Sequence, residues 1–210
     1  MIEVSHVTQI EGLLDEIELV IFDLDDTLYS EKAYVRSGYR TIASAFPQIE
    51  NMPEKLWQAF LRGEKAIDSV LQAEGLFTQE NLQKCVEIYR YQQPDIRLYE
   101  GVLDMLTRLK DSGKKLGLIT DGRAEGQRAK IKALGIENAF DCIIITDELG
   151  GIEYRKPCES AFVIMSEKLG VPYEKSVYIG DNIRKDFIAP DKLGMKSVLV
   201  KNTDGLYYNK

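Results

Sequence analysis

Acidic residues crowd where an apolar run ends. In ELVIFDLDDTLYS, Glu18–Ser30, five mostly apolar positions give way to Asp23, Asp25 and Asp26 within four residues. Like charges this close repel, and a carboxylate beside an apolar segment loses hydration. Such a cluster is either a wet turn or the surroundings of a cation. Three further stretches place reactive groups in similar settings: Thr120, Asp121 and Gly122 after KLGLI; Lys156 in YRKP; and Gly180, Asp181, Asn182 and Asp186 after SVYI. A carboxylate-dominated oxygen set without histidine suits Mg2+, which takes a few carboxylates plus water and phosphate oxygens. Lys156 adds a second positive charge, and the threonine and glycine-flanked amides at 120–122 suit phosphate oxygens. Together these groups would support phosphoryl transfer, with a carboxylate available as nucleophile.

The elements that must position these residues are visible as a pattern. KKLGLIT (Lys114–Thr120), DCIIIT (Asp141–Thr146), SVYIG (Ser176–Gly180) and KSVLV (Lys196–Val200) are short apolar runs rich in β-branched residues. Amphipathic segments lie between them, at Arg123–Leu134, Glu159–Leu169 and about Arg184–Leu193. Buried strands alternating with helices predict an α/β fold, a Rossmann-like parallel sheet with helices on both faces. KALGI, EKLGV and DKLGM each put a glycine (Gly135, Gly170, Gly194) between leucine and another apolar residue, a helix stop. In an open parallel sheet, ligands collect at the carboxyl ends of the strands. Lys156 lies just before the helix that starts near Pro157, the other candidates come after strand ends, and all could face one site.

Residues from about Glu31 to Gln93 carry apolar positions at helical spacing and no convincing strand, with Pro47, Pro53, Gly75 and Pro94 as breaks. This predicts a small all-helical domain, residues 30–94, inserted into a core made of 1–29 and 95–210. Met1–Glu16 is expected to be a helical extension packed on that core. The net charge of −7 and pI near 5.0 argue against nucleic acid or an anionic membrane as partner. The N-terminus lacks the basic start and unbroken apolar core of a signal peptide, and no stretch approaches a membrane span. Three scattered cysteines, Cys85, Cys142 and Cys158, fit buried or incidental thiols in a reducing cytoplasm. With His6 as the one histidine, a histidine base or a His-rich zinc site is not expected.

DLDDT, ITDG, RKP and GDNIRKD, in this order from about Glu18 to Val200, resemble the four motifs of the haloacid dehalogenase superfamily in its phosphatase branch. A helical cap inserted after the first motif matches that branch. The resemblance implies Asp23 as the nucleophile forming an aspartyl-phosphate and Asp25 as general acid, then base. It implies Thr27 as a loop-positioning residue near the substrate, Thr120 and Gly122 at the phosphate, and Lys156 as the neutralising cation. Mg2+ would be held by the Asp23 carboxylate, the Asp25 carbonyl and Asp181, and Asp186 would support Lys156 or a metal-bound water. The second motif reads Thr-Asp-Gly where many relatives have Thr-Asn-Gly, so Asp121 could alter substrate choice.

Simpler readings apply to single residues. Asp-rich turns are common after strands, and Asp26 has no chemical role, fitting a solvated or capping carboxylate. Asn182 could cap the next helix or orient a neighbouring group. The four motifs together predict a Mg2+-dependent phosphatase acting on a small phosphorylated metabolite. The alternatives are a sugar-phosphate phosphomutase of the same superfamily and a non-catalytic phosphate-sensing or protein-binding module.

Overall fold

The structure, a computed structural model, describes residues 1–206. Six parallel strands form one sheet: β1 (Ile2–Val4), β2 (Leu19–Phe22), β3 (Lys115–Thr120), β4 (Cys142–Ile145), β5 (Ser176–Gly180) and β6 (Lys196–Val200). Their order is β1-β6-β5-β2-β3-β4. All four residues of β2 are buried, as are all five of β5, which is why these strands read as continuous apolar runs instead of alternating ones. β2 sits between β3 and β5, with Phe22 opposite Leu118 on one side and Ile179 on the other. The chain therefore leaves β2 towards one edge and later returns on the other side, which makes β2 the switch point of the sheet.

Four helices lie between β2 and β3 in a separate compact unit, residues 32–96, while residues 1–31 and the described residues from 97 on form the other unit. The helices are α1 (Glu31–Ser44), α2 (Met52–Leu61), α3 (Ala66–Ala73) and α4 (Gln79–Arg90). Leu56, Trp57, Val70, Leu71 and Cys85 are buried. The Thr78 hydroxyl accepts the Asn81 N–H at 3.1 Å and caps α4. On α1, the Arg36 guanidinium lies 4.0 Å from the centre of the Trp57 ring, a cation–π contact.

In the sheet unit, α5 (Val102–Asp111), α6 (Ala124–Ala133), α7 (Ser160–Leu169) and α8 (Ile188–Leu193) join the strands. One core cluster joins Leu19, Ile21, Ile119, Phe162, Met165 and Tyr178, and the Phe162 and Tyr178 rings meet edge-on at 5.0 Å. Full burial of side chains this large is worth about 1.5–3 kcal/mol each. Gly135, Gly170 and Gly194 all close helices with positive φ, at 68°, 64° and 84°.

Two segments differ from expectation. The N-terminal segment, expected as a helical extension, begins with strand β1, paired to β6 with Val4 opposite Val200. It continues as a 3-10 helix, Val7–Leu13, whose start is capped by the His6 ring through Thr8. Three residues carry too little pattern for the strand to be read in advance. Helix α8 begins at Ile188, not near Arg184, because Asn182 and Asp186 fold the preceding residues into a turn.

Candidate active site

The switch point brings the predicted residues to one end of the sheet. Asp23 follows β2, and its N–H donates to the Ile179 carbonyl of β5 at 2.8 Å, which extends the pairing by one residue. Thr120 ends β3, and Asp181 follows β5. A cavity of about 430 Å³ opens here, lined by Asp23, Asp25, Asp121, Lys156, Asp181 and Asn182, and also by Glu31, Arg155 and Lys185.

Lys156 is the buried centre of charge. Its Nζ lies 2.7 Å from Asp23 Oδ1, 2.7 Å from the Tyr178 hydroxyl and 2.8 Å from Asp186 Oδ1. Burial disfavours its ammonium, but the Asp186 and Asp23 charges outweigh this and hold the lysine charged, well above its ordinary pKa. Asp186 reaches Lys156 because its other oxygen accepts the Asn182 N–H at 2.9 Å, folding the loop back on itself. Gly180 permits that approach: a Cβ there would stand 2.5 Å from Asp186 Oδ2.

Carboxylate oxygens of Asp23, Asp181 and Asp186 all lie within 4.8 Å of one another. Burial raises the Asp181 carboxyl to about 9, with the Asp23 and Asp186 charges adding to it. Burial likewise raises Asp23 to about 7, against the pull of Lys156. Acids crowded in this way fit a cation, and an all-oxygen donor set fits Mg2+.

Asp25 faces a different set of groups. Its Oδ1 accepts from the Tyr29 hydroxyl and, at 2.7 Å, from Lys130 Nζ; its Oδ2 accepts from Gln127 Nε2 at 2.9 Å. Burial pushes this carboxyl up, yet Lys130 and the hydrogen bonds from Gln127, Lys130 and Tyr29 bring it below its ordinary value. Glu31, on the cavity wall, is helped less, because the pull of Lys130 on its carboxyl is outweighed. Burial and then the Asp25 charge raise it to about 8.

The other candidates have separate places. Thr120 is buried, with its Oγ1 2.7 Å from Gln127 Nε2. Thr27 is buried, and its hydroxyl has no hydrogen-bond partner among the described residues. Gly122 continues the loop after Asp121. The Asp121 carboxylate is a brace: it accepts from the Thr146 hydroxyl at 3.1 Å, the Lys156 N–H at 3.0 Å and Lys185 Nζ at 2.7 Å. It thus ties the second motif to the third and fourth. Asn182 caps its turn by accepting the Arg184 N–H at 3.1 Å. Asp26 is capping and not solvated. It is 1 % exposed with φ of 53°, and its carboxylate accepts the Glu31 N–H at 2.9 Å and the Leu206 N–H at 2.6 Å.

Residues 20–200 match the family described as haloacid dehalogenase-like hydrolase. The chain belongs to that family. A glyceraldehyde 3-phosphate phosphatase of Methanopyrus kandleri is 28% identical over 203 residues, covering 88% of this chain and 84% of its own. The pyrophosphatase PpaX of Bacillus pumilus is 27% identical over 184 residues, covering 86% of this chain and 82% of its own. Among solved structures, the HAD-hydrolase YfnB from Bacillus subtilis bound to magnesium superposes with a TM-score of 0.64 at 19% identity, covering 86% of this chain and 85% of that one.

In this haloacid dehalogenase-like hydrolase, several polar residues at the site stand outside the four motifs. Gln127 and Lys130 are the least expected, because they occupy the buried face of α6 where apolar residues belong. Their one sequence signal is a pair of polar residues three apart on a helical stripe that continues to Ile131 and Leu134. Tyr29 reads as a packing aromatic and is one, but its hydroxyl also bonds Asp25. Lys185 lies within the fourth motif and draws attention only once its bond to Asp121 is seen.

Proposed function

We propose that this hydrolase is a Mg2+-dependent phosphatase that cleaves a small phosphomonoester through an aspartyl-phosphate on Asp23. The observation that carries this reading is the Lys156 ammonium 2.7 Å from Asp23 Oδ1, beside the acid cluster and on the same cavity wall as Asp25. The named activities of the two relatives, on glyceraldehyde 3-phosphate and on pyrophosphate, support a small phosphorylated substrate.

In the first half-reaction an Asp23 carboxylate oxygen bonds to phosphorus. The bond from phosphorus to the leaving oxygen breaks, and that oxygen takes a proton from the Asp25 carboxyl, which must carry it against the pull of Lys130 and its hydrogen-bond donors. In the second, Asp25 takes a proton from water, the water oxygen bonds to phosphorus, and the bond to Asp23 breaks. Inorganic phosphate leaves and both aspartates are restored. Lys156 keeps Asp23 oriented and offsets the charge of the phosphoryl group. Thr120 and the backbone amides at 121–122 would hold phosphate oxygens. Asp23, Asp181 and the Asp25 carbonyl would hold Mg2+, with Asp186 supporting Lys156 at their side. When bound, the ion supplies charge stabilisation for the phosphoryl oxygens, a role given weight by the magnesium in the similarly folded hydrolase.

The test is phosphate release from a panel of phosphomonoesters, with Mg2+ and with chelator, beside Asp23→Asn. Metal-dependent release that the variant lacks is the expected result. Release by Asp23→Asn at the rate of the unsubstituted protein would remove Asp23 as nucleophile.

A further inference from the structure

Helix α6 buries polar residues where packing alone would place apolar ones. Its inward side chains are Gln127, Lys130 and Ile131, with Gln127 3% and Lys130 6% exposed. A buried amide or ammonium is unfavourable unless it is bonded, so such residues persist on a helix face only with partners. Here the partner is one carboxylate. Lys130 Nζ stands 2.7 Å from Asp25 Oδ1, and Gln127 Nε2 stands 2.9 Å from Asp25 Oδ2. The two come from adjacent turns of α6 and hold one oxygen each.

Gln127 makes a second connection. Its Nε2 also lies 2.7 Å from Thr120 Oγ1 and 2.5 Å from the Asp121 carbonyl. One amide nitrogen thus joins the loop after β2 to the end of β3. With two N–H donors for three acceptors, the amide shares its protons among Asp25, Thr120 and Asp121. The Gln127 Oε1, by contrast, has no hydrogen-bond partner among the described residues.

An aspartate has two rotatable bonds and would otherwise sample several rotamers at a cavity wall. We propose that Gln127, backed by Lys130, is a positioning residue that fixes the Asp25 carboxylate against the leaving group and locks it in register with Thr120. This rests on the reading of Asp25 as the acid that protonates the leaving oxygen. Its consequence is specific to substrates. An alkyl phosphate, whose leaving oxygen needs a proton as the bond breaks, depends on where Asp25 sits. An aryl phosphate such as p-nitrophenyl phosphate, whose leaving oxygen is stable as an anion, depends on it little.

The experiment compares kcat/KM on glycerol phosphate and on p-nitrophenyl phosphate for the unsubstituted protein, Gln127→Met, Gln127→Asn and Asp25→Asn. Gln127→Met keeps the volume and removes the amide, whereas Gln127→Asn keeps an amide too short to reach both partners. Both should lose about ten- to a hundredfold on glycerol phosphate and less than about threefold on p-nitrophenyl phosphate. The ratio of the two substrates is measured on the same folded fraction, so partial unfolding cancels from it. Equal losses on the two substrates, or none on either, would overturn the positioning role. Asp25→Asn separates the two assignments. If its loss is also equal on both substrates, the acid assignment fails; if it is selective and the Gln127 variants are not, only the positioning role fails.

Discussion

Three of the acids in the opening cluster of the sequence have three different surroundings. Asp23 faces an ammonium and two other carboxylates, Asp25 faces donors from α6 and Tyr29, and Asp26 accepts backbone N–H groups. Spacing alone puts them together, but only the fold tells them apart. The four motifs made Asp23, Lys156, Asp181 and Asp186 legible as a group: Asp23, Asp181 and Asp186 come after strand ends, and Lys156 stands just ahead of a helix between the second and fourth motifs. Gln127 and Lys130 were not legible, because a glutamine and a lysine on a helix usually face water. The exposure of Asp26 could not be read either, since its partners include Leu206, which is 180 residues away in the chain. Lys156 is the residue whose loss should show most at this scale. Its side chain is fully buried between Asp23 and Asp186, so Lys156→Met leaves two buried acids without their cation. The metal-free variant should lose about 3–5 kcal/mol of unfolding free energy in urea titrations, along with phosphate release. Unchanged stability would mean that the lysine is not the counter-charge of those acids.

Elements place these residues through a few close approaches. The all-buried strands β2 and β5 were readable from their apolar runs, and the leucine–glycine helix stops appear with the φ values they need. What could not be read was the loop between β5 and α8. Its helical pattern from Arg184 competes with the Asn182–Asp186 hydrogen bond, and the loop wins because Asp186 is drawn to Lys156. Gly180 is the element-level requirement for this, since a Cβ there would press on Asp186 Oδ2 at 2.5 Å and on its Cγ at 3.0 Å. Gly180→Ala should cost about 1–3 kcal/mol by overpacking and reduce phosphate release with it. Thermal unfolding and activity of that variant check both. A variant as stable and active as the parent would show that Asp186 need not sit where it does.

At the scale of the molecule, the acid site stores repulsion that a cation relieves. Asp23, Glu31 and Asp181 have carboxyls raised to about 7, 8 and 9. Each therefore binds a proton more tightly folded than unfolded. The stability linked to them is fully present below about pH 4 and is lost as the pH rises through their folded values. Metal-free protein should accordingly melt at progressively lower temperature from about pH 5 to about pH 9. Mg2+ at about a hundred times its dissociation constant should add about 2.7 kcal/mol. Melting curves across that range, with chelator and with Mg2+, check the sign; a metal-free protein that grows more stable with rising pH contradicts it. Among the described residues no helix is long and apolar enough to cross a membrane.

Turnover through an aspartyl-phosphate requires phosphorus to bond to Asp23. The most direct measurement is to quench the protein in acid during turnover with Mg2+ and a good substrate, then locate any phosphoryl adduct by peptide mass spectrometry. An adduct is expected on the peptide carrying Asp23, absent from Asp23→Asn and enriched in Asp25→Asn when the substrate needs no proton to leave. An adduct on another residue, or turnover with no adduct under conditions that trap an authentic acyl phosphate, would contradict it.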